Sequence, residues 1–259
     1  MRDLKLATWN VNGIRASAGR AVKEFLASGR YDIICLQETK IGNHLDLPEE
    51  LINPDGYLSF WNDCLERKGY SGVAVYTKLE PKSIKINFGH NSLLSKEGRV
   101  LGLDFGDFIL FNIYFPNGGS GEVRLKYKLK FYEEFLDYTK KLLKKGRKII
   151  VTGDFNTAYT EIDLARPEAN VKNSGFMPVE RKWIDKYLEA GFVDIFRAFH
   201  KEGGLYSYWD IKSAARDRNV GWRIDYFLVS KNLAGSVKDS KILADVYGSD
   251  HAPVILILR

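Results

Sequence analysis

Short apolar runs, most of them closed by polar residues, recur along the chain. "LKLATWNV", "DIICLQE", "SGVAVYT", "VLGLDFG", "FILFNIYF", "KIIVTGDFN", "RIDYFLVS" and "APVILILR" are rich in β-branched and aromatic residues and read as strands. Two segments have helical spacing instead. Residues 123–145 place Leu125, Leu129, Tyr132, Leu136 and Leu143 on one stripe, with Gly146 as terminator, and the lysines Lys140, Lys141, Lys144 and Lys145 read as a solvated face. Residues 179–190 form a second helix closed by Gly191. Many strands with few helices predict an α/β sandwich in which two sheets face each other and helices lie outside. "LATWNVNG" echoes "IVTGDFNT", and "YSGVAVYTKLEP" echoes "WRIDYFLVSKNL", which suggests two related halves. No linker or low-complexity tract separates them, so a single domain over residues 1–259 is expected.

The ends of these strands are unusual. In "KIIVTGDFNTA" an apolar run delivers Asp154 and Asn156 together, and alternation along an extended segment would aim both to one side with Phe155 facing the core. The same oddity recurs at Asn10 and Asn12, Glu38, Tyr114 and Asn117, Asp225, and Asp250 with His251. One polar strand end is ordinarily a turn or a cap. Five or more in one sandwich point to a shared site. Glu38, Asp250 and Asn10 are hard oxygen donors that suit magnesium or manganese rather than zinc, and no Cys/His cluster competes, since His44, His90 and His200 are scattered. His251, with Asp225 as its orienting carboxylate, suits stabilisation of charge on a phosphate. Asp154 is then the natural base for an attacking water, with Asn156 holding water or phosphate.

Composition narrows the partner. A formal charge of +6 over 259 residues favours polyanions, although it does not by itself distinguish a nucleic-acid binder from a basic surface. No apolar stretch is long enough for a membrane span, and the start lacks a secretory hydrophobic region, so a cytoplasmic protein with no membrane partner is expected. The two cysteines, Cys35 in a strand and Cys64 in a polar loop, offer no disulfide framework.

Taken together, "WNVNGIRA", "LQETK", "KGYSGVAVYTK", "YFPNG", "GDFNTAYTEIDL", "NSGFMPVER", "NVGWRIDYFLVS" and "GSDHAP" resemble the exonuclease III family of abasic-site (AP) endonucleases. The motifs run in that family's order from residue 7 to residue 254. The resemblance implies a four-layered α/β sandwich of the DNase I-like (endonuclease/exonuclease/phosphatase) type. It implies metal-assisted hydrolysis 5′ to an abasic site in duplex DNA, giving 3′-hydroxyl and 5′-deoxyribose phosphate ends, with 3′-to-5′ exonuclease activity. It assigns Glu38, Asn10, Asn12 and Asp250 to Mg2+, with Mn2+ as substitute. Asp154 and Asn156 match the water-aligning positions, His251 and Asp225 the charge-stabilising dyad, and Tyr114 and Asn117 groups on the target phosphate. Tyr208, Trp222 and Ile224 match the pocket for a flipped, base-less sugar, with Asn170 and Asn173 lining it. Arg15, Tyr70 and Arg124 match backbone contacts.

Three departures stand out. Asn12 replaces an aspartate of several relatives, which removes one charge from the metal set, and Ser120 and Lys212 stand where some eukaryotic relatives insert an arginine and a methionine into the duplex. Lys212 would make a charge contact instead. The resemblance also implies a monomer acting on double-stranded DNA with abasic sites or 3′ ends, at the nucleoid in a prokaryote. The alternatives are a same-fold endonuclease that cuts directly at deaminated bases such as uracil, and a DNA-binding module without catalysis; the complete polar set opposes the second.

Overall fold

The computed structural model describes residues 2–15, 17–88 and 96–259; His90 lies outside them. Its strands are β1 (Leu4–Asn10), β2 (Ile33–Gln37), β3 (Leu58–Asn62), β4 (Val73–Thr77), β5 (Ser83–Lys85), β6 (Val100–Asp104), β7 (Ile109–Tyr114), β8 (Ile149–Asp154), β9 (Phe192–Asp194), β10 (Asp225–Ser230), β11 (Val237–Ile242) and β12 (Val254–Leu258). They form two six-stranded sheets, ordered β11-β12-β1-β2-β4-β3 and β5-β6-β7-β8-β10-β9. Both sheets repeat one scheme. A central parallel pair, β1/β2 or β7/β8, is flanked on each side by antiparallel strands. The expected two halves therefore exist as sheets, but they are not successive halves of the chain, because β11 and β12 return to complete the first sheet.

Alternation along the strands builds three apolar layers. In β8, Ile150 joins Leu6, Cys35, Val75, Leu110, Phe227 and Leu256 between the sheets. Its neighbours Ile149 and Val151 face outward, under helices Glu122–Lys144 and Pro178–Glu189. On the far side, Trp9, Ile34 and Tyr76 pack with Val22 and Leu26 of helix Ser17–Ala27. The layers run helix, sheet, sheet, helix, the four-layered sandwich that the sequence resemblance implies. Among the described residues no helix is long and apolar enough to cross a membrane.

The long helix packs on a face rotated from the expected stripe. Lys128, Phe131, Tyr132, Phe135, Leu136 and Thr139 are buried, whereas Leu125, Leu129 and Leu143 are only half-buried. Aromatic bulk decides this, since Phe131 and Phe135 interlock edge-on with Phe115. The four lysines at its end are exposed. Cys64 lies in the loop after β3 with its side chain buried, and both cysteines are free.

Candidate active site

The parallel pairs aim their C-terminal ends at one rim of the sandwich. Register fixes the neighbours there: Asp154 of β8 lies between Tyr114 of β7 and Asp225 of β10, and Asn10 of β1 lies beside Gln37, the residue before Glu38. Three polar residues at these ends, Asn12, Glu38 and Asn156, take left-handed backbone conformations with φ of 46°, 51° and 51°. Such conformations cost about 1–3 kcal/mol each and persist where surrounding bonds over-determine them. Here they turn each chain abruptly and leave its polar side chain in the rim. Gly153 makes the approach possible, because a Cβ there would lie 1.9 Å from the Ile113 carbonyl oxygen.

Asp154 and Asn156 do meet, although not by alternation. The strand stops at Asp154, and the turn at Asn156 folds its backbone N–H onto Asp154 Oδ1 at 2.7 Å. The Asn156 amide donates to the Phe115 carbonyl (2.9 Å) and to Asp154 Oδ2 (3.3 Å), while its oxygen accepts from Asn117 Nδ2 at 2.9 Å. Phe155 is fully buried against Phe115 and Tyr226. Asp154 Oδ2 also accepts from Asn10 Nδ2 at 2.8 Å, and His251 Nε2 stands 3.9 Å away. Burial pushes the Asp154 carboxyl up to about 7, with Asp225 and Glu38 adding to the rise and His251 opposing it.

His251 is held from behind. Its Nδ1 bonds Asp225 Oδ2 at 2.8 Å, Asp225 accepts a second bond from Ser207 Oγ at 2.6 Å, and Trp9 Nε1 donates to the His251 carbonyl at 3.0 Å. That contact sets the tautomer and leaves Nε2 facing the rim. Burial alone would pull the imidazole down, yet the adjacent Asp225, with Asp154 and Asp250, raises it to about 10.

Beside this dyad lies the oxygen-rich set. Glu38 Oε1 accepts from Asn10 Nδ2 at 2.9 Å, and Glu38 Oε2 pairs with Lys40 Nζ at 2.9 Å. Burial opposes the Glu38 charge, but Lys40, Asn10 and Tyr114 hold its carboxyl below the usual range. Asp250 Oδ2 accepts from Asn12 Nδ2 at 3.0 Å, and the Lys40 ammonium also donates to Asn12 Oδ1. The Lys40 ammonium sits where Glu38 and Asn12 converge, and the carboxylate and amide oxygens around it are hard donors of the kind that suit a divalent ion. Asn10, expected to contribute to the metal site, also serves the carboxylates. Its amide hydrogens are committed to Glu38 and Asp154 and its oxygen accepts from the Asn12 N–H at 3.0 Å, so it bridges the two carboxylates from below. A second group, Asp154, Asp225 and His251, offers ligand atoms within 4.8 Å of one another and could also hold a metal ion.

These residues open into a cleft of about 350 Å³ whose lining includes Asn12, Glu38, Tyr114, Asn117, Asp154, Asn156, Asp250 and His251. Ser174, Gly175, Tyr208, Asp210, Trp222 and Ile224 form the rest of the wall. Tyr208 lies 4.9 Å, ring to ring, from His251, and Trp222 meets Phe176 edge-on. Asn170 and Asn173 are not part of the wall; the Asn173 amide donates to Asn170 Oδ1, and Asn170 to the Arg166 carbonyl. Arg15, Ser120 and Lys212 are exposed. Tyr70 and Arg124 are half-buried, and Arg124 is paired with Glu97 at 2.7 Å. The Tyr70 oxygen accepts from Arg124 (2.7 Å) and from the buried Arg99 (2.8 Å), which also donates to the Tyr114 carbonyl. Burial and the charge of Glu38 raise the Tyr114 hydroxyl well above its ordinary range.

The sequence reading overlooked Lys40, Arg99, Ser207, Ser249 and Lys128. Ser249 Oγ donates to the Asn10 carbonyl at 2.8 Å and ties the Asp250–His251 turn to β1. Only Lys128 had a local signal, as a charge spaced three and four residues from Leu125 and Tyr132 on an apolar stripe.

An acid-and-imidazole rim at the open end of two stacked sheets defines a DNase I-like phosphodiester-cleaving enzyme. Within that class the chain belongs to the Endonuclease/Exonuclease/phosphatase family, whose profile matches residues 7–251. It is 43% identical over 259 residues to the exodeoxyribonuclease of Bacillus subtilis (strain 168), covering 99% of this chain and 100% of that protein. It is 39% identical to the DNA repair nuclease APEX1 of Danio rerio, covering 99% of this chain and 82% of that protein. Among solved structures, an AP endonuclease from Archaeoglobus fulgidus superposes with a TM-score of 0.87 at 31% identity, covering 98% of this chain and 99% of that one.

Proposed function

We propose that residues 1–259 act as one DNA-repair nuclease unit that hydrolyses the phosphodiester 5′ to an abasic site in duplex DNA, with 3′-to-5′ exonuclease activity on 3′ ends. The observation that carries this reading is a buried acid, Asp154, poised beside an Asp-held imidazole at the mouth of a cleft walled by Tyr208, Trp222 and Ile224. Direct cutting at uracil is not favoured, since the relatives are named for exonuclease, DNA-repair and abasic-site activities.

In this mechanism Asp154 Oδ2 takes the proton of the attacking water, because crowding by burial and neighbouring acids has made it a better base than an ordinary carboxylate. Asn10 and Asn156 fix its two oxygens. The imidazolium of His251 presents Nε2–H to the phosphate oxygens as negative charge grows there, while Asp225 keeps the ring oriented. Asn117 and Tyr114 contact the same phosphate. Glu38, Asp250, Asn12 and Asn10 would hold Mg2+, or Mn2+ in its place, and the ion would supply charge neutralisation at the phosphate. We place the ion there rather than among Asp154, Asp225 and His251, because the latter site would disrupt the Asp225–His251 bond.

On DNA, the base-less sugar enters against Tyr208, Trp222 and Ile224, and the missing base lowers the cost of extrusion. Arg15 and Lys212, both exposed, contact the backbone, with Asn170 and Asn173 at the rim. Tyr70 receives two guanidinium donors, so its own proton is free for a phosphate, and Arg124 acts largely through it. The reading places a monomer in the cytoplasm. The test is a panel of duplexes with one abasic site, one uracil or neither, with and without magnesium. Metal-dependent nicking of the abasic duplex is expected; an intact abasic duplex beside another cleaved phosphodiester would overturn the assignment.

A further inference from the structure

Lys128 and Glu180 form an ion pair at 2.6 Å with both side chains fully buried, and neither is part of the cleft wall. Charges taken out of water in this way are costly, and an apolar pair of similar volume would commonly serve packing as well. What distinguishes this pair is where its other bonds go. Lys128 Nζ donates to the Asn156 carbonyl at 2.7 Å, the residue whose left-handed turn sets Asp154. Glu180 Oε1 accepts from Ser174 Oγ at 2.8 Å, and its Oε2 accepts from the N–H groups of Gly175 (2.6 Å) and Met177 (3.2 Å). Ser174 and Gly175 line the cleft, and a Cβ at Gly175 would lie 3.3 Å from the Asn156 carbonyl oxygen and 3.4 Å from Trp222. A Cβ at Gly118, next to Asn117, would lie 2.7 Å from Ser174 Oγ and 3.4 Å from Glu180 Oε1, so a third cleft segment closes on the same pair.

We infer that Lys128 and Glu180 are positioning residues that lock the turn carrying the base to the wall that receives the sugar. This rests on the nuclease reading above. Lys128 governs the reacting geometry at Asn156, whereas Glu180 governs the sugar-binding wall. The two therefore differ in kinetic signature. Lys128→Met lowers kcat on an abasic duplex by about 100-fold with little change in KM, the scale of a displacement of about 1 Å at a reacting group. Glu180→Gln acts mainly through KM, because its new amide faces the Gly175 N–H and opens the wall.

The test measures kcat, KM and Tm for wild type, both single variants and the apolar double variant Lys128→Met/Glu180→Leu. The double variant removes the unpaired charge that threatens folding in each single variant. The expected result is a double variant that is stably folded at the assay temperature, with a Tm lowered by the Ser174 hydroxyl and the Gly175 and Met177 N–H groups left unpaired, whose kcat stays depressed about 100-fold. Wild-type kcat in that stable double variant would reduce the pair to packing and overturn the inference. So would identical kcat and KM changes in the two single variants. If wild type itself leaves the abasic duplex intact, the nuclease reading fails instead, and the two failures remain distinguishable.

Discussion

Asp154 and Asp163 are both buried acids, yet burial drives one up to about 7 while the other is held down to about 2. Asp163 meets full compensation. Burial opposes its charge, but Oδ1 accepts from Arg223 Nε at 2.7 Å and from Arg197 at 2.7 Å and 2.9 Å, and Oδ2 closes a capping box with Thr160. Arg223, itself buried, also grips Asp194 at 2.7 Å. Around Asp154 the partners are neutral amides, two further acids and a cation, the His251 imidazolium, no closer than 3.9 Å. One region is built so that every charge is answered. In the other an acid is left under-compensated, which is the state a base needs.

Breaking each region should therefore have opposite consequences. The largest effect falls on Asp154→Asn, which should lower turnover of an abasic duplex by about 10³-fold, the middle of the range for a general base, with thermal stability unchanged or raised. Steady-state kinetics and a melting curve on one preparation check both halves. Arg223→Met should do the reverse. It strands Asp194 and leaves Asp163 to Arg197 alone, costing about 3–5 kcal/mol in urea unfolding, while activity per folded molecule at low temperature stays near wild type.

Stability against pH in chelator sharpens the contrast further. Asp163 has a folded value below the unfolded one of about 3.9, so it stabilises above that pH and loses its contribution as pH falls towards 2. Asp163→Asn should cost about 2 kcal/mol at neutral pH and progressively less below pH 4. Asp154 has a raised folded value, so its contribution falls as pH climbs from about 4 to about 7 and is flat above. The stability gained by Asp154→Asn should open over that window. Parallel curves for the two variants would contradict the comparison. The smallest effect is expected from Asn12→Asp, which restores a charge to the oxygen set and should lower the magnesium concentration for half-maximal activity by about tenfold.

How much of this was legible depends on distance along the chain. The central strands announce themselves as apolar runs because both their faces are buried. Edge strands β3, β5, β9 and β11 went unread, since "SIK", "FVD" and "VKDSKI" are short or mixed and carry no period on an edge. Helix Ser17–Ala27 was missed as well, with Gly19 inside it packed close to the Ile14 carbonyl. The site's acids were visible as polar strand ends. Their geometry was not: Asn156 reaches Asp154 through a turn with φ of 51°, which alternation along a strand does not foretell. Asn10 gave no hint that both its amide hydrogens go to carboxylates on other strands. Arg99, Ser207 and Lys40 take their meaning from partners brought near only by folding.

The central claim is that Asp154 directs water onto the phosphate 5′ to an abasic sugar. Cleavage of an abasic duplex in water enriched in oxygen-18, with mass analysis of both new ends, tests it most directly. The account predicts one heavy oxygen on the 5′-deoxyribose phosphate, an unlabelled 3′-hydroxyl, and loss of this product in Asp154→Asn. A cut that leaves no heavy oxygen on phosphate, or wild-type labelling in Asp154→Asn, would contradict it.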